Sequence, residues 1–578
     1  MGVGLRPFYS VVAYAWTMLD SARIRLLGTI VLTSIATVTL VVAPYTLLDP
    51  MGLPKLTALA FFSVIALSLI VPVVKSLFSS GYRATVILLT LFITQIILVL
   101  LFSGANIGAQ FYGTYTRNTG ALVYISLAVI LLTSSLVSDK KFLKRFIITT
   151  LIIGGILIVY GNIQYLGLEP FPYSNAYTVN APVGTFGNSN FQAAFMGLIA
   201  VVASTMALNP GFKIPIRFGL GLMGFAAIVV VYETLSSQGY LNFIAGAGVV
   251  AMLWLFMTRR KSLGIALSGL GVIGGGLVFL GLINSGPFAK YIYEASIAAR
   301  GYYWRAAIKM LIEHPIFGIG MDNYGTWYAR NRQVAMENGF LTYSNSAHNV
   351  YLELASNGGF PLLVIYLAIT ALVVVAVVRV IQRSDGFDVY FVAVVGAWVA
   401  YHVQSFISIN QLGLAIWGWV LSGLIIGYEI NTRVSQNSQS VPVNPKQRGN
   451  RARSSAQPLS SRAVISVFAG VLIGALISMP LYLANSRFYA AIKANDIKAV
   501  ESAGNQWPHD ERRLFMSAGI FRNAKLDAKA VQILREATTE YPDSLDLWNL
   551  WSTIPTASPA DLATVKAQLK RLDPFNPD

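Results

Sequence analysis

Histidine is scarce in this chain, four among 578 residues, and one of them, His348, stands in NSAHNVYLELASNGGF, residues 345–360, just before a long apolar run. An ionisable group at the edge of an apolar segment is costly and marks a candidate site of function. A neutral imidazole near pH 7 can take a proton from an attacking hydroxyl. Asn349 and Glu353 are near enough in sequence to orient it, although Glu353 lies about one and a half helical turns away and more readily caps the helix. A second polar group sits in ARGYYWRAAIKMLIEHPIFGIGMDNYGTW, residues 299–327, with Arg300, Arg305, Lys309, Glu313, His314 and Asp322. An arginine fork binds phosphate oxygens bidentately. On residue type alone, His348 is as simply a helix-start residue, and Arg300 an interfacial arginine that snorkels.

These groups must be held by a largely apolar chain. It is 55% hydrophobic and 12% charged, with a mean hydropathy of +0.61, too little charge to cover a soluble protein of this length. Apolar runs predict thirteen spans, near 27–48, 56–74, 85–104, 121–137, 146–164, 191–208, 218–232, 241–257, 263–283, 359–378, 389–406, 414–430 and 463–483, most of them near the length that crosses ~30 Å of hydrocarbon. The expected fold is therefore all-α, a polytopic membrane helix bundle of about thirteen spans with a small helical-repeat domain outside. The amino-terminal MGVGLRPFYS lacks the pattern of a cleavable signal peptide. There are no cysteines, so disulfides are excluded.

The net charge of +17 would suit nucleic acid, but its distribution follows topology instead. With the amino terminus in the cytoplasm, the inside segments hold most of the basic residues, including DKKFLKR at 139–145 and RRK at 259–261. The short outside loops carry only Lys55 and Arg117, as the positive-inside rule requires. The expected location is the cytoplasmic (inner) membrane, multi-pass, with the carboxy-terminal domain outside, and no nucleic-acid partner is expected. No histidine or cysteine spacing suggests a metal, and no cofactor is expected. The glycine-rich GLGVIGGGLVFLG, residues 269–281, reads as an apolar helix for close packing. His402, within a span, reads as a packing histidine.

Four regions result: 1–430 with twelve spans and a long outer loop at 284–358, a flexible basic cytoplasmic linker at 431–462, the thirteenth span at 463–483, and an outer tail at 484–578. The linker is rich in Ser, Gln, Asn and Pro. The tail repeats AGNQWPHD (503–510) in ATTEYPDS (537–544), with Ala503 and Pro508 answering Ala537 and Pro542. That spacing looks like tetratricopeptide repeats, which stack helix pairs and commonly hold a protein partner. In the outer loop, Tyr303, Ala307, Met310 and Leu311 recur at helical spacing and predict an amphipathic interfacial helix, broken at HPIFGIG by proline and glycine.

The segment ARGYYWRAAIKMLIEHPIFGIGMDNY followed by AHNVYLELASNGGFPLL resembles the signature of the O-antigen ligase and polymerase superfamily. There, an arginine, a tryptophan four residues on and a P-x-x-G-x-G element precede H-N-x-x-L-x-x-x-x-x-x-G at the head of the next span. TYTRNTGAL (114–122) and VGTFGNSNFQAAF (183–195) are similar to outer-edge elements of the same family. The resemblance implies a metal-independent, inverting membrane glycosyltransferase acting on a polyprenyl-pyrophosphate-linked glycan, with undecaprenyl pyrophosphate as the expected carrier and a glycan, lipid or protein acceptor. It implies His348 as the base and Arg300 as the pyrophosphate ligand, with Gln238, Arg117, Arg305, Asn349, Asn188 and Asn190 as substrate-binding candidates. One departure stands out: in YETLSSQGYLNF (232–243) Gln238 occupies the place of an expected second arginine. Glutamine donates to a phosphate oxygen but brings no charge, and Arg117, Arg305 or Lys290 are the substitutes at hand. Ligation of a finished glycan, polymerisation of repeat units, and a non-catalytic scaffold or transporter all remain as readings.

Overall fold

The computed structural model describes residues 21–78, 81–171, 181–293, 295–439 and 460–576, the side chains of 434–439 excepted. The amino-terminal segment and most of the linker fall outside these residues; the linker's first residues continue the preceding helix, Leu412–Gln439. Among the described residues, twelve helices are long and apolar enough to cross a membrane, and Ala121–Val137 is a shorter apolar helix beside them. The chain is an all-α, multi-pass membrane bundle.

Burial orders the bundle from the inside out. The apolar stretch of Leu412–Arg433 is wholly buried, and those of Ser189–Ala207 and Val389–Ile407 nearly so, whereas Lys261–Leu282 is 6% buried. The Leu412–Gln439 helix packs against Ala121–Val137 at contact distance because Gly423 and Gly427 face the backbone carbonyls of Leu131 and Ser135; a Cβ at either position would collide with them. Only small residues allow helices in lipid to approach so closely. At the centre Trp417 is fully buried, its ring against Phe146 and Phe195. Its indole N–H donates to Thr39 Oγ1 over 2.9 Å.

Two expectations change. The first span runs Ser21–Leu40 rather than 27–48, because Pro44 stops the helix that hydropathy alone extends. The glycine-rich helix Lys261–Leu282 is not closely packed: Cβ atoms at Gly269, Gly271, Gly274, Gly275 and Gly276 would meet nothing. It stands at the rim, mainly against Gln238–Met257 and Ala289–Ile292, with Phe279 edge-on to Phe406.

Lys55, expected as a loop charge, lies fully buried in the first turn of Gly52–Ile70. Its ammonium donates to the carbonyls of Val38, Thr39 and Val41 at 3.0, 2.9 and 3.0 Å. Those are the orphan acceptors at the end of Ser21–Leu40, where a cation also suits the helix dipole. Lys55→Met keeps the stem and removes the donors, leaving buried carbonyls unsatisfied at a cost of about 1–3 kcal/mol. A lowered unfolding temperature by tryptophan fluorescence in detergent is the expected result.

Candidate active site

At one end of the bundle the chain between Lys261–Leu282 and Val350–Arg383 folds into a polar cap. Its first long helix, Ala295–Glu313, buries Arg300, Tyr303, Ala306, Ala307 and Met310 on one face, as the spacing predicts. That face lies on the Val350–Arg383 helix. Arg305 is on the opposite, exposed face, away from Arg300.

The two glycine-bearing motifs are opposite halves of one brace. Ile319 and Gly320 donate their N–H groups to the carbonyls of Ser356 and Asn357 at 2.9 and 3.1 Å, and Phe360 N–H returns to Pro315 O at 2.7 Å. The Val350–Arg383 helix breaks at Gly359, with φ 76° and ψ 177°, so that Phe360 can turn outward. Glycine is required there and at Gly318, φ 62°, because each Cβ would strike the facing backbone. Pro361 follows the break, where it costs no ladder hydrogen bond. Gln95, from the Arg83–Phe102 span, donates to both Ile316 O (2.8 Å) and Gly358 O (3.1 Å), one carbonyl from each half.

His348 stands in a turn on this brace. Its φ of 51° is in the left-handed region, uncommon for a side chain of this size. The turn is held from behind by Glu353, whose Oε2 accepts from Ser346 Oγ and from Ala347 N–H, both at 2.7 Å. Ser346 Oγ accepts in turn from His348 N–H at 3.0 Å. Asn349 caps the helix by accepting from Tyr351 and Leu352 N–H, each at 3.0 Å. Asn349 and Glu353 therefore orient the backbone under His348, not the ring. The imidazole stacks on Tyr303 with centroids 5.3 Å apart, and among the described residues neither ring nitrogen has a hydrogen-bond partner.

Two arginines bear on that ring. Burial first, then the positive charges of Arg300 and Arg117, push the imidazole's pKa down to about 3, so it is neutral at physiological pH. Arg300 is buried and donates Nη1 to Ser296 O at 3.0 Å and to Ser296 Oγ at 3.4 Å. Its Nε is buried without a partner, and no carboxylate pairs with it among the described residues. Burial disfavours its charge and lowers its pKa. A buried cation is expensive without a counter-ion, and among the described residues this one has none, while its charge bears on a neutral imidazole. Arg117 is held differently: Nη1 donates to Asn345 O at 3.1 Å and to Asn345 Oδ1 at 2.8 Å, and Nε lies 3.9 Å from Asp322 Oδ1.

Asp322 was not singled out as a site residue by the sequence. It is 3% exposed, and it gathers Thr114 N–H (2.8 Å), Thr119 N–H (3.0 Å) and Thr119 Oγ1 (2.8 Å), fixing the loop that carries Arg117.

The remaining candidates form a separate group. Asn188 caps Ser189–Ala207 by accepting from Asn190 N–H. Ser236 Oγ donates to Asn190 Oδ1 at 2.7 Å, and Gln238 opens the Gln238–Met257 helix with its Oε1 buried and unpartnered. No hydrogen bond or ion pair among the described residues joins Gln238 to Arg300 or His348. His402 is satisfied as a packing residue, its Nδ1 2.7 Å from Tyr351 Oη and its ring against Trp398. Trp304 lies edge-on to Phe406.

Gln95→Leu tests the brace. It removes both donors while keeping bulk, and the expected outcome is a destabilisation of about 1–3 kcal/mol, read as a lower unfolding temperature, with faster proteolysis at residues 315–320.

Residues 222–367, which include Gln238, Arg300, Arg305, His348 and Asn349, match the family model described as O-antigen ligase. No curated protein matches the chain significantly. In a multi-pass membrane bundle, a match over the segment that carries the cap supports glycosyl transfer as the general function.

Proposed function

We propose that the protein transfers a glycan from a polyprenyl-pyrophosphate carrier to an acceptor hydroxyl at the outer face of the cytoplasmic membrane. The observation that carries this reading is the neutral imidazole of His348 flanked by two arginines, one of them buried without a counter-ion among the described residues. A pyrophosphate supplies the missing anion, and a neutral ring nitrogen supplies the base.

The acceptor O–H gives its proton to His348 as its oxygen bonds to the anomeric carbon. The bond from that carbon to the pyrophosphate oxygen breaks, and its electron pair leaves on the carrier pyrophosphate. Attack from the opposite face inverts the anomeric centre. The leaving group needs charge stabilisation more than a proton, which Arg300 and Arg117 provide. Donor binding has a second effect in this account. By offsetting the two positive charges it removes their share of the depression of the His348 pKa, so the base strengthens when the donor is seated. Gln238 then contributes hydrogen bonding to the donor without charge. The carboxy-terminal helices are read as tetratricopeptide-like.

A positioned base contributes about 10²–10⁴-fold, so His348→Ala should lose transfer by that order while the purified protein stays folded. Transfer is measured with purified protein, a carrier-linked oligosaccharide and a supplied acceptor; a single adduct marks a ligase and a ladder a polymerase. Normal turnover by His348→Ala removes the assignment.

The pH dependence follows from the direction of the shift. The folded value of about 3 lies below the unfolded value of ~6.5, so the unfolded chain binds the proton first. The stability contributed by neutral His348 is complete above about pH 6.5 and is lost as pH falls towards 3. The apparent rate kcat/KM, which reports the free enzyme, should accordingly show no acid limb near pH 6.5. Arg300→Gln should slow transfer and move the acid limb upward.

A further inference from the structure

The carboxy-terminal tail grips two loops, and each leads into the candidate site. On the first, Asn106 donates to Glu540 O at 3.2 Å, and Ala109 packs against the tail's apolar core. Arg512 of the tail lies over the Tyr115 ring, 5.9 Å from its centroid, and Arg117 follows in the same loop. On the second loop, Arg332 forks onto Asp573, with Nη2–Oδ2 2.6 Å and Nε–Oδ1 3.3 Å, and both side chains are largely buried. Arg330 reaches Asp543 at 2.6 Å. A buried fork is the strong form of an ion pair. It differs from a pair such as Arg535 with Asp561 inside the tail, where the arginine is exposed and little is gained.

The helices of the second loop, Tyr324–Asn331 and Gln333–Glu337, are eight and five residues long. Helices so short depend on tertiary contacts. The first is held inside the cap at its start, where Tyr324 Oη donates to Tyr303 O at 2.8 Å. There Gly325 lies so near Asn345, the residue that holds Arg117, that a Cβ would stand 3.1 Å from its Cα. Its far end is held by the tail through Arg330 and Arg332. Arg332 also donates to Leu341 O at 3.4 Å, just before Tyr343, whose hydroxyl donates back to Gly325 O. From Tyr343 a ladder of rings runs inward. Tyr343 meets Tyr328 edge-on at 5.6 Å, Tyr328 meets Tyr303 edge-on at 5.6 Å, and Tyr303 stacks on His348 at 5.3 Å. Tyr324 and Tyr328 are fully buried, so a displacement of either is passed to its neighbours.

We propose that the tail is a positioning domain for the cap, and that the Arg332–Asp573 fork, through Tyr343, Tyr328 and Tyr303, sets the place of the His348 ring. Arg332 and Asp573 act through these rings and are positioning residues. The partner of the tail is then this chain's own cap. The proposal rests on the glycosyl-transfer reading only for its effect on rate.

Histidine-labelled NMR of the full-length protein in nanodiscs reads the position without any substrate. His348 lies on Tyr303, and His314 lies on Trp327, over which Arg330 stacks; His402 sits within the Val389–Ile407 helix against Trp398. Asp573→Asn keeps the shape and removes the charge. It should shift the His348 and His314 signals, leave His402 in place, and lower kcat about tenfold with KM little changed, less than the about 10²-fold of a ~1 Å misplacement. Asp573→Lys should move both readouts further, and adding Arg332→Glu to it should bring both back towards wild type. Arg535→Ala, within the tail, should change neither. Should Asp573→Lys fail to fold, the His402 signal is lost and Asp573→Asn alone decides. An unmoved His348 signal in folded Asp573→Asn, or a shift in folded Asp573→Lys that Arg332→Glu does not reverse, overturns the proposal. A His348 signal that moves and is restored while even the wild type transfers nothing supports the positioning and removes the glycosyl-transfer reading instead.

Discussion

The cap depends on one backbone-to-backbone contact, the brace between residues 315–320 and 356–360. Three main-chain hydrogen bonds join the two segments, two glycines at positive φ let them approach, and Gln95 ties both to a third helix. Everything at the candidate site hangs from it. The helix bearing Arg300 ends where the brace begins, and the helix preceded by His348 breaks where the brace ends. A shift of either segment would separate the arginine from the imidazole, and positioning of that kind is where catalytic rates are lost.

On this frame the electrostatics form a graded set. Asp322 fixes the loop of Arg117 and partly answers its charge, whereas Arg300 is buried with no carboxylate beside it among the described residues. Glu353 spends one carboxylate oxygen on the turn beneath His348. The result is an imidazole held neutral, its nitrogens without partners among the described residues, and a buried guanidinium unpaired by any described carboxylate. A site built only for stability would have paired Arg300 or replaced it with an apolar side chain. Under the proposed glycosyl transfer, that unmet charge is the place of a phosphate group.

Local pattern carried much of this into the sequence. The amphipathic helix around Arg300, the proline and glycine break after it and the polar turn at His348 were legible because each depends on near neighbours. Nearly all the spans were legible from hydropathy, and the one displaced, Ser21–Leu40, was displaced by Pro44, which hydropathy does not weigh. The long-range partners were not legible. Gln95 reaches Gly358 across 263 positions, and Asp322 meets Thr114 across 208; no periodicity announces either. Asn349 and Glu353 were visible as neighbours of His348, but whether they served its ring or its backbone depended on the turn's left-handed φ. The glycines of Lys261–Leu282 suggested close packing by composition, yet their neighbours are set by the bundle and lie elsewhere.

The central claim is that His348 is a base kept neutral beside two arginines and strengthened when a pyrophosphate offsets them. The most direct measurement is the titration of the His348 ring by carbon-labelled histidine NMR in nanodiscs, assigned with His348→Gln, with and without polyprenyl pyrophosphate. The chain has only four histidines, so the signals are separable. The account predicts a ring that stays unprotonated below about pH 5 alone and titrates at higher pH with the lipid pyrophosphate bound. A ring that titrates near 6.5 in the free protein, or whose titration ignores the pyrophosphate, would contradict it.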